Sequence, residues 1–141
     1  MTSTHCPLDA KGALARTILC LLVATSCLVP TSAAADAGEN FQLLYIYSPD
    51  CGACMQFDRD IAPIYPKTDE AERLPITKIL FTDWQAGREP LTECASAPVV
   101  GTPTFIELKN CMELDRITGY SHAELFWLGL RRMINRIESG G

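Results

Sequence analysis

Two cysteines three positions apart, where a strand runs into a helix, constrain this chain more than any other feature. Cys51 and Cys54 follow the apolar run Phe41-Gln42-Leu43-Leu44-Tyr45-Ile46-Tyr47. Its lack of strict alternation predicts a strand buried on both faces. Ser48-Pro49-Asp50 makes the turn, with Asp50 available as a helix cap. Helical composition then runs from about Cys51 to Ala62, ahead of Pro63 and Pro66. The pair thus falls at a helix N-terminus, where free N–H groups and the helix dipole stabilise a thiolate. A thiol with a lowered pKa is the one that attacks disulfides. Cys51, at the mouth of the helix, is the expected nucleophile. Cys54, one turn inside, is the expected resolving thiol. Gly52 and Ala53 add little bulk over Cys51, so another protein's backbone has room to approach.

The rest of the chain reads as a scaffold. Lys67 to Arg73 is a charged segment with a short helix, and Ile76 to Phe81 is a second strand started by Pro75. Thr82 to Gly87 reads as a loop anchored by Trp84, and Glu89 to Ala95 as a short helix. A strand over Val99 to Leu108 carries Pro103 near its start, where proline is tolerated. Lys109 to Glu113 is a hairpin connection into Leu114–Thr118. Ser121 and Glu124 have capping-box spacing ahead of a helix reaching Glu138. Phe126, Leu130, Met133, Ile134 and Ile137 share one face of it. Met55 and Phe57 read as core residues, and His122 as a surface one. The order β-α-β-α-β-β-α predicts an α/β fold with a four-stranded mixed sheet and helices on both faces.

The first 35 residues are not domain-like. Lys11 and Arg16 precede an uncharged apolar run, Thr17 to Val29, followed by Pro30 and Thr31-Ser32-Ala33-Ala34-Ala35. This is the pattern of a secretory signal cleaved after Ala35, leaving a domain over 36–141 and no membrane anchor. Cys6, Cys20 and Cys27 would leave with it, and Cys51, Cys54, Cys94 and Cys111 would remain. Export permits disulfides. Cys94 and Cys111 are read as unpaired, with a structural disulfide and a second redox pair as the alternatives, because sequence gives no Cα separation. The 36–141 segment keeps 10 of the 12 Lys and Arg and 16 of the 17 Asp and Glu. That acidic balance argues against nucleic acid or an anionic membrane surface as partner.

Three features together resemble the thioredoxin superfamily. They are the strand–Cys51-Gly52-Ala53-Cys54–helix unit, Gly101-Thr102-Pro103-Thr104-Phe105 about fifty residues further on, and the hairpin-then-helix ending. The resemblance implies a cis Thr102–Pro103 bond beside the nucleophile, with Thr102 and Pro103 binding substrate as an added strand and Cys51 and Cys54 catalytic. Two departures stand out. Asp50 and Ala53 replace the Trp and Pro frequent around the pair, and Tyr45 falls where family members place a buried acid. The proton of Cys54 must then go elsewhere, to Glu107, Asp50 or water. Asp50 should also oppose the Cys51 thiolate somewhat, as a like charge.

Ile61-Ala62-Pro63-Ile64-Tyr65-Pro66-Lys67-Thr68, with Gly119-Tyr120 and Glu124-Leu125-Phe126-Trp127, is similar to a narrower group. These are the exported SoxS-type thioredoxin-like proteins of bacterial sulfur-oxidation systems. That likeness implies a periplasmic protein disulfide reductase acting on a sulfur-oxidation carrier protein. Its electrons would come from a membrane thiol transporter, and no cofactor is expected. A thiol oxidase or isomerase is the alternative enzyme, and a non-catalytic thiol- or metal-binding module the alternative of another class. A structural zinc usually takes four Cys or His ligands. Cys94 and Cys111 could join the pair in principle, but neither has C-x-x-C company and His122 stands alone, so no metal is expected.

Overall fold

The computed structural model describes residues 39–140. The expected signal segment, 1–35, lies outside the described residues. The elements run β1 (Phe41–Tyr47), α1 (Gly52–Asp60), α2 (Asp69–Arg73), β2 (Ile76–Leu80), α3 (Phe81–Gln85), β3 (Thr104–Lys109), β4 (Met112–Thr118) and α4 (Ala123–Glu138). Single 3₁₀ turns lie at Tyr65–Lys67 and Pro90–Cys94. The sheet order is β2-β1-β3-β4, parallel between β1 and β2 and antiparallel elsewhere. This is the four-stranded mixed sheet expected from the order of elements.

β1 is central, and its alternate residues feed two cores. Leu43 and Tyr45 join Phe105 under α1 and α4, with Cys54, Phe57, Ile61, Phe126, Leu130 and Met133. Leu44 and Ile46 face the other way and join Ile79, Trp84, Cys94, Val99, Ile106 and Leu108. Two-sided burial explains why β1 has no polar alternation. Phe57 is the hub of the first core, with ring centroids 4.7 Å from Tyr45, 4.7 Å from Phe105 and 5.0 Å from Phe126. Along α4 the expected face is buried at Phe126, Leu130, Met133 and Ile134, and Ile137 packs against the same core. No helix among the described residues is long and apolar enough to cross a membrane.

Several local expectations change. Phe81–Gln85 is a helix rather than a strand end and loop, because burying Trp84 in the second core sets the backbone there. β3 starts only at Thr104, after the cis Thr102–Pro103 bond, since proline offers no N–H to a ladder. The hairpin turn is tighter than expected, with Asn110 and Cys111 both at positive φ, 49° and 65°, as a two-residue turn between twisted strands requires. The Ser121–Glu124 capping box does not form. His122 is the N-cap and makes no side-chain cap bond, while the Ser121 carbonyl accepts from Gln56 Nε2 at 3.5 Å.

Cys94 and Cys111 are disulfide-bonded, which corrects the unpaired reading. The 3₁₀ turn ending at Cys94 and the β3–β4 turn bring the two Cα atoms to 4.7 Å, inside the usual range for a bridge. The positive φ of Cys111 presents its sulfur to that turn, a backbone feature that spacing does not reveal. Closing a loop with a sequence separation of 17 should contribute about 3 kcal/mol. Replacing both residues with alanine is expected to lower the urea unfolding free energy by about that amount while the Cys51–Cys54 pair still cycles. An unchanged midpoint would mean the bridge adds nothing.

Candidate active site

The turn Ser48-Pro49-Asp50 places Cys51 at the N-cap of α1. The Cys51 sulfur itself caps the helix and accepts from the Cys54 N–H at 3.1 Å. This displaces Asp50 from the expected cap position and leaves it exposed. Cys51 and Cys54 are disulfide-bonded, with Cα atoms 5.2 Å apart. Their surroundings differ sharply. Cys51 is partly exposed beside exposed Gly52, whereas Cys54 is 1 % exposed inside the first core.

The second wall of the site comes from the loop before β3. The Thr102 carbonyl oxygen lies 3.3 Å from Cys51 Sγ. That loop is tied down on both sides of the cis bond. Thr104 Oγ1 donates to the Gly101 carbonyl at 2.8 Å, and the Gly119 N–H donates to the Pro103 carbonyl at 2.7 Å. Cys51, Cys54, Thr102 and Pro103 therefore meet at one end of the sheet, as the motifs suggested. Met55, one turn along α1 from Cys51, is 48 % exposed rather than core, and Val100, two residues before Thr102, is 87 % exposed. Both add apolar surface around the pair.

Glu107 is elsewhere. It sits on β3 opposite Leu43 and Asp115, fully buried, with Arg136 Nη1 3.6 Å from Oε2. Neither of its carboxylate oxygens has a hydrogen-bond partner among the described residues. Burial pushes its pKa up to about 7, with Arg136 pulling the other way. Tyr45, at the position of the missing acid, instead donates its hydroxyl to the Cys54 carbonyl at 3.2 Å. Burial first, then the nearby Asp58 carboxylate, push that phenol far above its ordinary value, so it stays protonated. Asp58 in turn accepts from Lys78 Nζ at 2.7 Å. The sequence reading passed over Asp58 and Lys78. The signal available was the four-residue step from Cys54 to Asp58, which puts both on one side of α1. No cluster of three or more His, Cys, Asp and Glu able to hold a metal occurs among the described residues.

The periplasmic thioredoxin SoxS from Paracoccus pantotrophus, in its reduced form, is 33 % identical to this chain, over 70 % of this chain and 99 % of that one, at a TM-score of 0.59. The chain belongs to the thioredoxin superfamily. Two further solved structures are more distant. Trxlp from Edwardsiella tarda EIB202 matches at 20 % identity over 61 % of this chain and 77 % of that one, with a TM-score of 0.48. Thioredoxin from Aeropyrum pernix matches at 19 % identity over 67 % and 75 %, also at 0.48. No family model matches the sequence, and no curated protein does. Superfamily membership and the Cys51–Cys54 disulfide support a thiol–disulfide redox role for this thioredoxin-like protein.

Two outcomes are expected. In the reduced protein, iodoacetamide should label Cys51 at least about tenfold faster than buried Cys54, as peptide mass mapping would show. Glu107 should make stability fall with rising pH. Its carboxyl titrates near 4.5 when unfolded and near 7 when folded, so the folded state favours the neutral form. The penalty of burying the charge is absent below pH 4.5 and complete above pH 7, amounting to about 3 kcal/mol. Urea midpoints measured across that window should decline for the native protein and stay flat for Glu107→Gln.

Proposed function

We propose that this protein is an exported thiol–disulfide oxidoreductase of the SoxS type, which reduces a disulfide or blocked cysteine on a partner protein. The likeness to the periplasmic Paracoccus protein supports the periplasm as the compartment, and the resemblance of the sequence motifs to the SoxS-type group points to a sulfur-oxidation carrier protein as the partner. Residues 1–35 act as the signal, cleaved after Ala35. Cys51 thiolate attacks the partner disulfide, releases one partner thiolate and forms a mixed disulfide. Cys54 then attacks Cys51 Sγ, the second partner sulfur leaves, and Cys51–Cys54 closes. The two electrons taken by the partner come from the two protein thiols, and a membrane thiol transporter restores them. Thr102 and Pro103 offer their backbone to the partner as an added strand.

One observation carries the direction of this reading, the sparse support around Cys51 Sγ. Among the described residues the polar contacts are one N–H donor, from Cys54, and one carbonyl oxygen, from Thr102, at 3.1 and 3.3 Å. The carbonyl repels a thiolate that the N–H attracts. A strong oxidant needs a heavily stabilised thiolate in its reduced form. This balance favours a reductant.

Two measurements test the proposal. Equilibration in glutathione buffers should give the Cys51–Cys54 pair a potential at or below about −200 mV, whereas about −120 mV would make the protein an oxidase. Cys54→Ser should accumulate mixed disulfides through Cys51 with periplasmic proteins, a sulfur-oxidation carrier among them. A binding module would accumulate none.

A further inference from the structure

The resolving thiol is enclosed. Cys54 is 1 % exposed, so its proton has no direct path to bulk water before it attacks Cys51. The superfamily's acid position holds Tyr45, a phenol that stays protonated and accepts nothing at neutral pH. Glu107 lies on β3 opposite Leu43 with Arg136 Nη1 at 3.6 Å, and no contact among the described residues ties it to Cys54. Asp58 is different. It lies four residues after Cys54 on α1, a step that sets Cβ atoms about 5–6 Å apart on one side of a helix. Tyr45 ties the two together, because its hydroxyl donates to the Cys54 carbonyl and also lies within hydrogen-bonding reach of the Asp58 carboxylate, whose charge helps to hold the phenol protonated.

The two oxygens of Asp58 are unequal. Oδ2 accepts from Lys78 Nζ at 2.7 Å, and that ammonium in turn stands 4.2 Å from the Tyr47 ring centroid and 5.2 Å from that of Tyr45. Oδ1 is sealed from solvent and accepts no hydrogen bond of good geometry among the described residues, since the neighbouring Tyr45 hydroxyl donates to the Cys54 carbonyl. An unpartnered buried carboxylate oxygen is costly and calls for an explanation. The groups set against this carboxylate are Tyr45 from β1 and Lys78 from β2, the latter covered by the Tyr47 ring, with Cys54 one turn back on its own helix. Tyr120, ahead of α4, is turned instead to Asp60 at 3.1 Å.

We infer that the carboxylate of Asp58 is the proton acceptor of Cys54, a role moved from the strand to the helix one turn behind the thiol. The inference rests on the redox reading of the pair. In the mixed disulfide, the Cys54 proton passes to Asp58 Oδ1, and the Cys54 thiolate attacks Cys51 Sγ. The Cys51–partner S–S bond breaks as Cys51–Cys54 forms, and the departing partner thiolate takes a proton from solvent or from Asp58. Lys78 keeps the Asp58 carboxylate anchored in the resting state.

Reaction of the reduced protein with Ellman's reagent separates the two steps. The first thionitrobenzoate released reports attack by Cys51, and the second reports attack by Cys54. Asp58→Asn is expected to slow the second release at least about tenfold at pH 6 to 7 and leave the first within about twofold. The deficit should narrow as pH rises, because a higher hydroxide concentration increasingly replaces the carboxylate as the base for Cys54. Asp58→Glu should restore part of the rate. Equal slowing of both releases, no slowing, or a deficit that does not narrow at high pH would overturn the assignment. If the native protein releases no thionitrobenzoate, the redox reading fails and takes this inference with it. Should Asp58→Asn not fold, carbon-13 NMR of the reduced native protein decides. The Asp58 carboxyl and Cys54 Cβ should share titration steps, and independent curves would reject the pairing.

Discussion

The antiparallel pairing of β1 with β3 is the constraint on which the site depends. Its register sets Ile46 opposite Thr104, so the end of β1 and the beginning of β3 finish at the same edge of the sheet. Cys51 lies five residues beyond Ile46, across one turn, and Thr102 lies two before Thr104. No side chain has to reach far for Cys51 Sγ to come within 3.3 Å of the Thr102 carbonyl. A slip by one residue would turn Leu44 and Ile46 into the core now filled by Leu43 and Tyr45. The hydrophobic pattern of β1 therefore holds the two halves of the site together, although they stand fifty residues apart in the chain.

The electrostatics of the interior are unusually uneven for so small a sheet. Arg116 is held by Glu113 and by the carbonyls of Ala97 and Pro98, which pins the segment before Val99 to β4. Arg132 and Arg136 satisfy Asp115. Glu107 receives only a distant share of Arg136. Charge is thus paired at the β4 edge and left strained within β3. Asp58 repeats that theme near the pair, with one oxygen satisfied and one not.

The strand–Cys51–Cys54–helix junction, the proline before β3 and the apolar face of α4 were legible because each rests on local chemistry or periodicity. What was not legible depended on distant contacts. The helix at Phe81–Gln85 follows from Trp84 finding the second core, and nothing in its own composition announces it. The Cys94–Cys111 bridge needed two turns to meet. Asp58 escaped notice for another reason. It looks like an ordinary solvated residue of a charged helix until Tyr45 and Lys78, from two strands distant in the chain, come against its carboxylate.

The second disulfide lies on the opposite side of the sheet from the first. Cys94 packs with Leu44, Ile46 and Ile106, while Cys54 packs with Leu43, Tyr45 and Phe57. The four cysteines among the described residues allow three complete pairings, and exchange needs sulfurs that meet. Once Cys94 and Cys111 have joined, β1 and β3 stand as a wall between the two pairs. Shuffling within the molecule then has nowhere to go. Among the described cysteines Cys51 is left with Cys54 as its partner, and any other disulfide it exchanges with must come from outside the folded domain.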